Sequence, residues 1–247
     1  MRRYFLSAIG FAAFLALWQA LPGLDPHAGA LLPLPSQLPA ALLREVKSGV
    51  WLDCIEASLS HYFAGLIVGI VLGVAVGILT GMYSKADFAL SWIVRTLRPI
   101  PGLAWIPFAI LWFGVAQSAA IFIVAIGVFW IVFFATHGAI RGVDRDLIEV
   151  AEAFGFIGGW GKLVKVLFPA SLPGILVGAR TALGQAWMAV VAAELFGVPG
   201  LGQRMNEAAS LLATDIVVVY MLTMAALYGI LDTGFLLMQS RILSWKV

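Results

Sequence analysis

The sequence predicts an all-α integral membrane protein with about six transmembrane helices. Of its 247 residues, 62% are hydrophobic and only 11% are charged, whereas a water-soluble domain carries roughly 25% charged residues. The length leaves room for about six spans of ~20 residues and their loops. A net charge of +2 is too small to indicate nucleic-acid binding. The single cysteine, Cys54, excludes an intramolecular disulfide and a cysteine metal cluster.

The first two spans lie on either side of a proline-rich loop. Residues 4–24 are uncharged and long enough to cross a bilayer. Arg2 and Arg3 resemble the start of a twin-arginine export signal, but the length of the apolar stretch and the hydrophobic chain that follows favour a retained span. After an amphipathic piece at residues 36–48, the second span is predicted at residues 58–82.

The second span carries a glycine at every fourth position. This spacing puts all the glycines on nearly one side of a helix, where they permit a neighbouring backbone to approach closely. Tight packing within the chain is the favoured interpretation, and a helix that slides against its neighbour during transport is the alternative. The packing residues are Gly65, Gly69, Gly73, Gly77 and Gly81.

The third and fourth spans share a long uncharged stretch. Residues 99–140 contain no formally charged side chain, which is enough for two spans and a tight turn. We place these spans at residues 88–113 and 119–136, with the turn at 114–118. The prolines of 98–107 break the helix in the first half of the third span. Irregular backbone at that depth is tolerated where it is buried or lines a cavity.

The main polar interruption in the second half of the chain is the stretch at residues 143–173, within a predicted loop at 138–171. Asp146 followed by Glu149 matches a capping box, which predicts that a short helix begins there. Gly155 is expected to end this helix, because glycine readily adopts the left-handed conformation that closes a helix.

A second short helix is predicted to carry Lys162 and Lys165, with prolines marking the return to the membrane. The fifth span then follows at residues 172–196 and the sixth at 216–239. The whole of 1–247 is expected to form a single transmembrane domain.

Lysine and arginine placement predicts the orientation, because these residues accumulate on the cytoplasmic side. With a cytoplasmic N-terminus, the inside segments hold nine of them and the outside loops hold three. We therefore expect both termini and the 138–171 loop in the cytoplasm. The nine are Arg2, Arg3, Lys85, Arg141, Arg145, Lys162, Lys165, Arg241 and Lys246, and the three are Arg44, Lys47 and Arg204.

No enzymatic chemistry is predicted for this chain, so no catalytic, cofactor-binding or metal-binding residue is assigned. Gly161-Lys162 resembles the end of a phosphate-binding loop, but that pattern needs glycine where Phe156 stands and serine or threonine where Leu163 stands. The three histidines show no ligand spacing.

Ionisable residues inside spans are costly and are therefore functional candidates. Arg180 and Glu194 share the fifth span but lie roughly 21 Å apart along a helix, so they cannot pair with each other. Arg180 can line the pathway and offset the charge of an anionic substrate. The alternative is that it pairs with a carboxylate or carbonyl of a neighbouring span, or reaches towards the cytoplasm. For Glu194 and Asp232 a packing or helix-end role is favoured.

Several segments resemble a known family. Glu149-Val150-Ala151, Gly155, 167–169 and 172–173 are similar to the EAA signature of permease subunits in binding-protein-dependent ABC importers. Val150 replaces the first alanine of that signature, and one extra residue separates the glycine from the distal part. The stretches 98–107, 111–114 and 184–194 resemble the permeases of the nitrate, sulfonate, taurine and bicarbonate type.

The resemblance implies a type I ABC importer permease (MetI-like) fold in the inner (plasma) membrane. It implies a homodimer with a second permease copy, a dimer of ATPase subunits that holds ATP and Mg, and an extracytoplasmic solute-binding protein. The implied cargo is a small anion such as a sulfonate, nitrate or taurine. A permease for methionine or another small solute is the alternative, and a secondary transporter, channel or scaffold is disfavoured.

The resemblance also implies two sets of site residues. The first would contact the ATPase and comprises Glu149, Val150, Ala151, Glu152, Ala153, Phe154, Gly155, Gly158 and Gly159. The second would line the translocation pathway and comprises Pro101, Trp105, Arg180, Gln185, Trp187 and Glu194.

Overall fold

A computed structural model describes residues 2–21, 32–156 and 159–244. Across these ranges the regular structure is helical, with no strand, which confirms the predicted all-α class. The helices are α1 Arg2–Ala20, α2 Leu38–Ser48, α3 Val50–Met82, α4 Ser84–Leu97, α5 Ile106–Phe113, α6 Gln117–Arg141, α7 Arg145–Ala153, α8 Gly159–Lys162, α9 Phe168–Leu195, α10 Leu201–Ser210 and α11 Thr214–Ile242.

Within the described ranges, four helical stretches are long and apolar enough to cross a membrane: α3, α6, the run Gly159–Leu195 that ends in α9, and α11. A fifth candidate is the pair formed by α4 and the segment Gly102–Phe113, whose two parts are bent by 83°. The predicted first span corresponds to α1, in which Ile9–Ala20 is a shorter apolar helix. The predicted end of that span, at residue 24, lies outside the described residues.

The chain divides into two compact units. The first comprises Met1–Ser58 and Pro199–Leu227, and the second comprises Leu59–Val198 and Tyr228–Val247.

In the second unit, the glycines of α3 lie against α6. A Cβ atom built on any of the five would come within 2.5 to 2.9 Å of a side-chain carbon of α6, which is closer than real Cβ atoms approach. The contacts advance by four residues on both helices, so α3 and α6 run parallel and in register. The facing pairs are Gly65–Val124, Gly69–Val128, Gly73–Val132, Gly77–Thr136 and Gly81–Ile140.

This parallel contact determines the path of the bent segment. Gln117 Nε2, at the start of α6, donates to Ser60 Oγ at 3.1 Å. Asp87, at the start of α4, pairs with Arg141 at the end of α6 at 2.9 Å. The chain from Asp87 to Gln117 therefore passes from one end of α6 to the other, about 37 Å along a helix of this length. Because the hydrocarbon layer is about 30 Å thick, α4 and α5 form one broken span and not a re-entrant loop.

Helix α9 runs antiparallel to α6. Gly174 faces Ala139 and Gly178 faces Ala135, so small residues again line the contact. Arg180 contacts Asp232 of α11, and Gly184 lies against the hydroxyl of Tyr228. These two contacts make α11 antiparallel to α9.

Several helices extend beyond the predicted spans, among them α4, which begins at Ser84 and not at 88, and α11, which covers Thr214–Ile242 and not 216–239. Helix α3 begins at Val50 and not at 58, α6 continues to Arg141 and not 136, and α9 begins at Phe168 and not 172. Charged residues and prolines set the predicted limits, but a helix continues into water when its backbone bonds are satisfied. A π-helical turn at Leu163–Leu167 directly precedes α9, whose second residue is Pro169. Such turns occur mostly as single wide turns within α-helices.

In the first unit, an ion pair joins α2 to α10. Arg204 donates to both carboxylate oxygens of Glu45, at 2.8 and 3.1 Å, and the Tyr220 hydroxyl donates to the same carboxylate at 2.9 Å. Glu45 is only 5% exposed. The hydrogen bonds from Arg204 hold the pKa of the Glu45 carboxyl below its usual range and raise the pKa of the guanidinium.

We expect Gly69→Ala to lower the free energy of unfolding by about 1–3 kcal/mol, because the new methyl group would meet the Val128 side chain and the Ala125 carbonyl. Gly234→Ala in α11 is the matched control, since nothing lies within 4 Å of a Cβ there. Thermal unfolding in detergent measures the difference. Equal unfolding temperatures for the two variants would contradict the close contact.

We expect Glu45→Gln to destabilise the first unit by about 2 kcal/mol at neutral pH, because it removes the charge that Arg204 needs. Because the folded-state pKa of Glu45 is depressed, the stabilisation is complete above the ordinary carboxyl pKa of about 4.3 and disappears as the pH falls further. The difference in unfolding temperature between wild type and variant should therefore vanish in acid. Glu207→Gln is the control, since this exposed carboxylate lies at 3.5 Å from Arg204.

Candidate functional site

The polar segment between α6 and α9 starts with a capped helix. Asp144 is the N-cap residue, and its Oδ1 accepts a hydrogen bond from the Asp146 backbone N–H at 3.0 Å. Helix α7 therefore begins at Arg145. The predicted capping box at Asp146 and Glu149 is wrong, because a carboxylate two residues upstream already takes the cap position. Glu149 lies in the middle of α7 with an exposed side chain.

Gly155 ends α7 as predicted. Its φ is +88°, and its N–H donates to the Glu152 carbonyl at 3.0 Å while the Phe156 N–H donates to the Ala151 carbonyl at 3.0 Å. This pair of bonds is the Schellman motif, which requires a left-handed residue at the position that Gly155 occupies. Both ends of α7 are thus fixed by local hydrogen bonds.

Helix α7 turns most of its apolar residues outwards. Ala151 is its one buried residue, at 7% exposure. Leu147, Val150 and Phe154 are exposed and line a groove of about 330 Å³ that α9 completes with Pro169. We call α7 together with this groove the coupling segment.

The chain after α7 is tied back to it. Lys162 Nζ of α8 pairs with Glu152 Oε1 at 2.6 Å, and Lys165 Nζ lies 5.0 Å from the centre of the Phe156 ring. Gly159 packs against the Tyr83 hydroxyl. The predicted site residue Gly158 lies outside the described residues.

Among the predicted pathway residues, Arg180 forms a two-pronged ion pair with Asp232. Its Nε donates to Oδ1 and its Nη2 to Oδ2, each at 3.0 Å. The pair lines a cavity of about 440 Å³ between α9 and α11, together with Val177, Thr181, Tyr228 and Gln239. Pairing with a carboxylate of a neighbouring span is the alternative that the sequence left open to a pathway role for Arg180. Asp232 is such a carboxylate.

Glu194 is the penultimate residue of α9 and faces His61 of α3. Glu194 Oε1 and His61 Nδ1 are 3.3 Å apart, and the two side chains are 0% and 4% exposed. Neither partner, Asp232 or His61, was foreseen. The depth of each residue in its predicted span could have indicated these partners. Arg180 and Asp232 are predicted at similar distances from one membrane face, and His61 and Glu194 at similar distances from the other.

The remaining pathway residues lie in two places, one beside α6 and the other beside Tyr62 of α3. Gln185 packs on Gly127, and Gly102 of the irregular segment packs on the same glycine. Pro101 is the N-cap of that segment, and Trp105 follows it, against Phe122. Trp187 is buried, and its ring lies edge to face against Tyr62. These residues therefore form no single cluster with Arg180.

Comparison with known proteins agrees with this architecture. Residues 69–244 match the family described as binding-protein-dependent transport system inner membrane component. A Bacillus subtilis protein named as an aliphatic sulfonates transport permease is 33% identical over 95% of this chain and 85% of its own length. The taurine transport system permease protein of Escherichia coli is 29% identical over 99% of this chain and 90% of its own.

Among solved structures, an inward-facing methionine ABC transporter aligns with a TM-score of 0.66 at 24% identity, covering 80% of this chain and 96% of the other. This likeness confirms the type I importer permease fold predicted from the resemblance. The family match covers most of the chain, including α6, the coupling segment, α9 and α11. The protein therefore belongs to the inner-membrane permease components of binding-protein-dependent ABC importers.

Proposed function

We propose that this multi-pass permease conducts a small anion of the sulfonate class and is driven by a separate ATPase through the coupling segment. The observation that carries the proposal is the exposed apolar face of α7, held rigid by the Asp144 cap, the Gly155 motif and the Glu152–Lys162 ion pair. An apolar face that is exposed on a polar segment is typical of an interaction site.

Charge placement supports a cytoplasmic coupling segment. The segment lies at the same end of α6 as the start of α4, because Arg141 pairs with Asp87. Lys85, Arg145, Lys162 and Lys165 lie at that end too, and such a cluster of basic residues is typical of the cytoplasmic side. Both chain termini are proposed to be cytoplasmic for the same reason.

The proposed assembly contains two copies of the permease, a dimer of ATPase subunits and an extracytoplasmic solute-binding protein. ATP and Mg belong to the ATPase subunits, because the Gly161-Lys162 sequence does not complete a phosphate-binding loop. ATP binding would close the ATPase dimer and move the two coupling segments as levers. Rigid helices biased between two packings are a common basis for such switching.

A sulfonate is the favoured cargo because relatives that align with nearly the whole chain are named for aliphatic sulfonates and taurine. Nitrate offers the same negatively charged oxygen edge and is the next anion to test. Methionine is the alternative cargo, but the similarity to the methionine transporter is at the level of the fold.

We expect Val150→Asp to abolish stimulated ATPase activity and co-purification of the ATPase, because it places a charge on the apolar docking face without burying it. Val150 and Leu43 are both 53% exposed, so Leu43→Asp in α2 is a matched control that should leave both readouts unchanged. The measurements use the complete importer in lipid vesicles, with the amount of inserted permease determined for each variant. Full ATPase stimulation by the Val150 variant would rule out docking through α7.

A further inference from the structure

The Arg180–Asp232 pair lies deep within two membrane-spanning helices. Arg180 is about 18 Å along α9 from Phe168 and about 22 Å from Leu195. Even so, the side chains of Arg180 and Asp232 are 43% and 26% exposed. A charged pair exposed at this depth is expensive against lipid and is normally found facing a water-filled cavity or the interior of a bundle.

The surroundings of the pair are polar. Thr181 and Tyr228 line the same cavity, and Gly184 allows the Tyr228 hydroxyl to approach α9 closely. Gln239 lines it as well, and its Oε1 is buried without a hydrogen-bond partner in the described part of the chain. Of these groups, the Tyr228 hydroxyl and the Gln239 amide N–H can donate to an anion. Uncharged donors bind an anion weakly, which suits a site that must also release its ligand.

The geometry of the pair is that of an occupied oxoanion site. A guanidinium offers two parallel N–H groups that match two oxygens on one atom. In the structure those oxygens belong to Asp232, at 3.0 Å each. A sulfonate or nitrate presents an equivalent pair of oxygens and can replace the carboxylate without a change in the guanidinium.

We propose that Arg180 is an oxoanion-binding residue of the translocation pathway and that Asp232 is its built-in competitor, which the passing anion displaces and which afterwards ejects the anion. This inference rests on the proposed import of a small anion and adds the site and its release device. Asp232 keeps the cavity neutral when empty and weakens anion binding when the anion is present. A weak, exchangeable site is what conduction requires.

The test measures the Kd of ethanesulfonate by saturation-transfer NMR on the permease–ATPase complex in nanodiscs, without the binding protein. Asp232→Asn should tighten binding by up to about fivefold, the equivalent of a partly exposed ion pair. The double variant Arg180→Gln with Asp232→Asn should weaken binding by about 10- to 100-fold, because a charged hydrogen-bond donor is lost. Arg241→Gln is the control. It removes a positive charge from the last turn of α11, away from the pair, and should leave the Kd of ethanesulfonate unchanged.

The double variant separates binding from structure, because it removes both charges together and leaves no unpaired charge in the membrane. The pair is structural, and the proposal is overturned, if the double variant binds ethanesulfonate as tightly as wild type. The same conclusion follows if Asp232→Asn alone weakens binding as much as the double variant does. Uptake of ethanesulfonate, taurine and nitrate by the complete wild-type importer is measured in parallel. Uptake without these mutational effects overturns the site alone, whereas no uptake of any of the three overturns the proposed function and the site with it.

Discussion

The contact between the glycines of α3 and the side chains of α6 is the constraint on which the second unit depends. Two helices can approach only as closely as the side chains between them allow. Here α3 places a glycine against α6 at five positions four residues apart, so Val128 and its neighbours rest on the backbone of α3. The contact is parallel and in register. It therefore requires the chain between the two helices to cross the bilayer once, and it places the start of α4 beside the end of α6.

That requirement explains why a segment as irregular as 98–105 is found at membrane depth. The backbone between α4 and α5 is partly non-helical, and its unsatisfied groups would be costly in lipid. Gly102 packs on Gly127 of α6, and Gln185 of α9 packs on the same residue. Close approach of Gly102 to α6 thus covers one side of the break, and glycine at both positions makes the approach possible.

Charge pairing at matched depth is the second organising feature. Arg180 meets Asp232 well inside the spans, and His61 meets Glu194 at the C-terminal end of α9. The two pairs differ in surroundings: the histidine pair is buried, whereas the arginine pair lines a polar cavity. An enclosed pair is suited to holding helices together. An accessible pair can exchange one partner for a ligand, which is the distinction behind the oxoanion site.

Hydropathy, proline position, glycine spacing and left-handed turns are local properties of the amino-acid sequence. The helical membrane class, the broken third span, the glycine face of α3 and the end of α7 at Gly155 could therefore be predicted from it. The sequence misplaced the start of α7 by taking Asp146 for the cap, since two nearby carboxylates carry similar local signals and only the backbone geometry selects Asp144. It also named Arg180 and Glu194 without their partners. The partners Asp232 and His61, and the residue of α6 that each glycine meets, emerge only once the helices are packed together. These contacts join residues 52 to 133 positions apart in the chain, so no local signal specifies them.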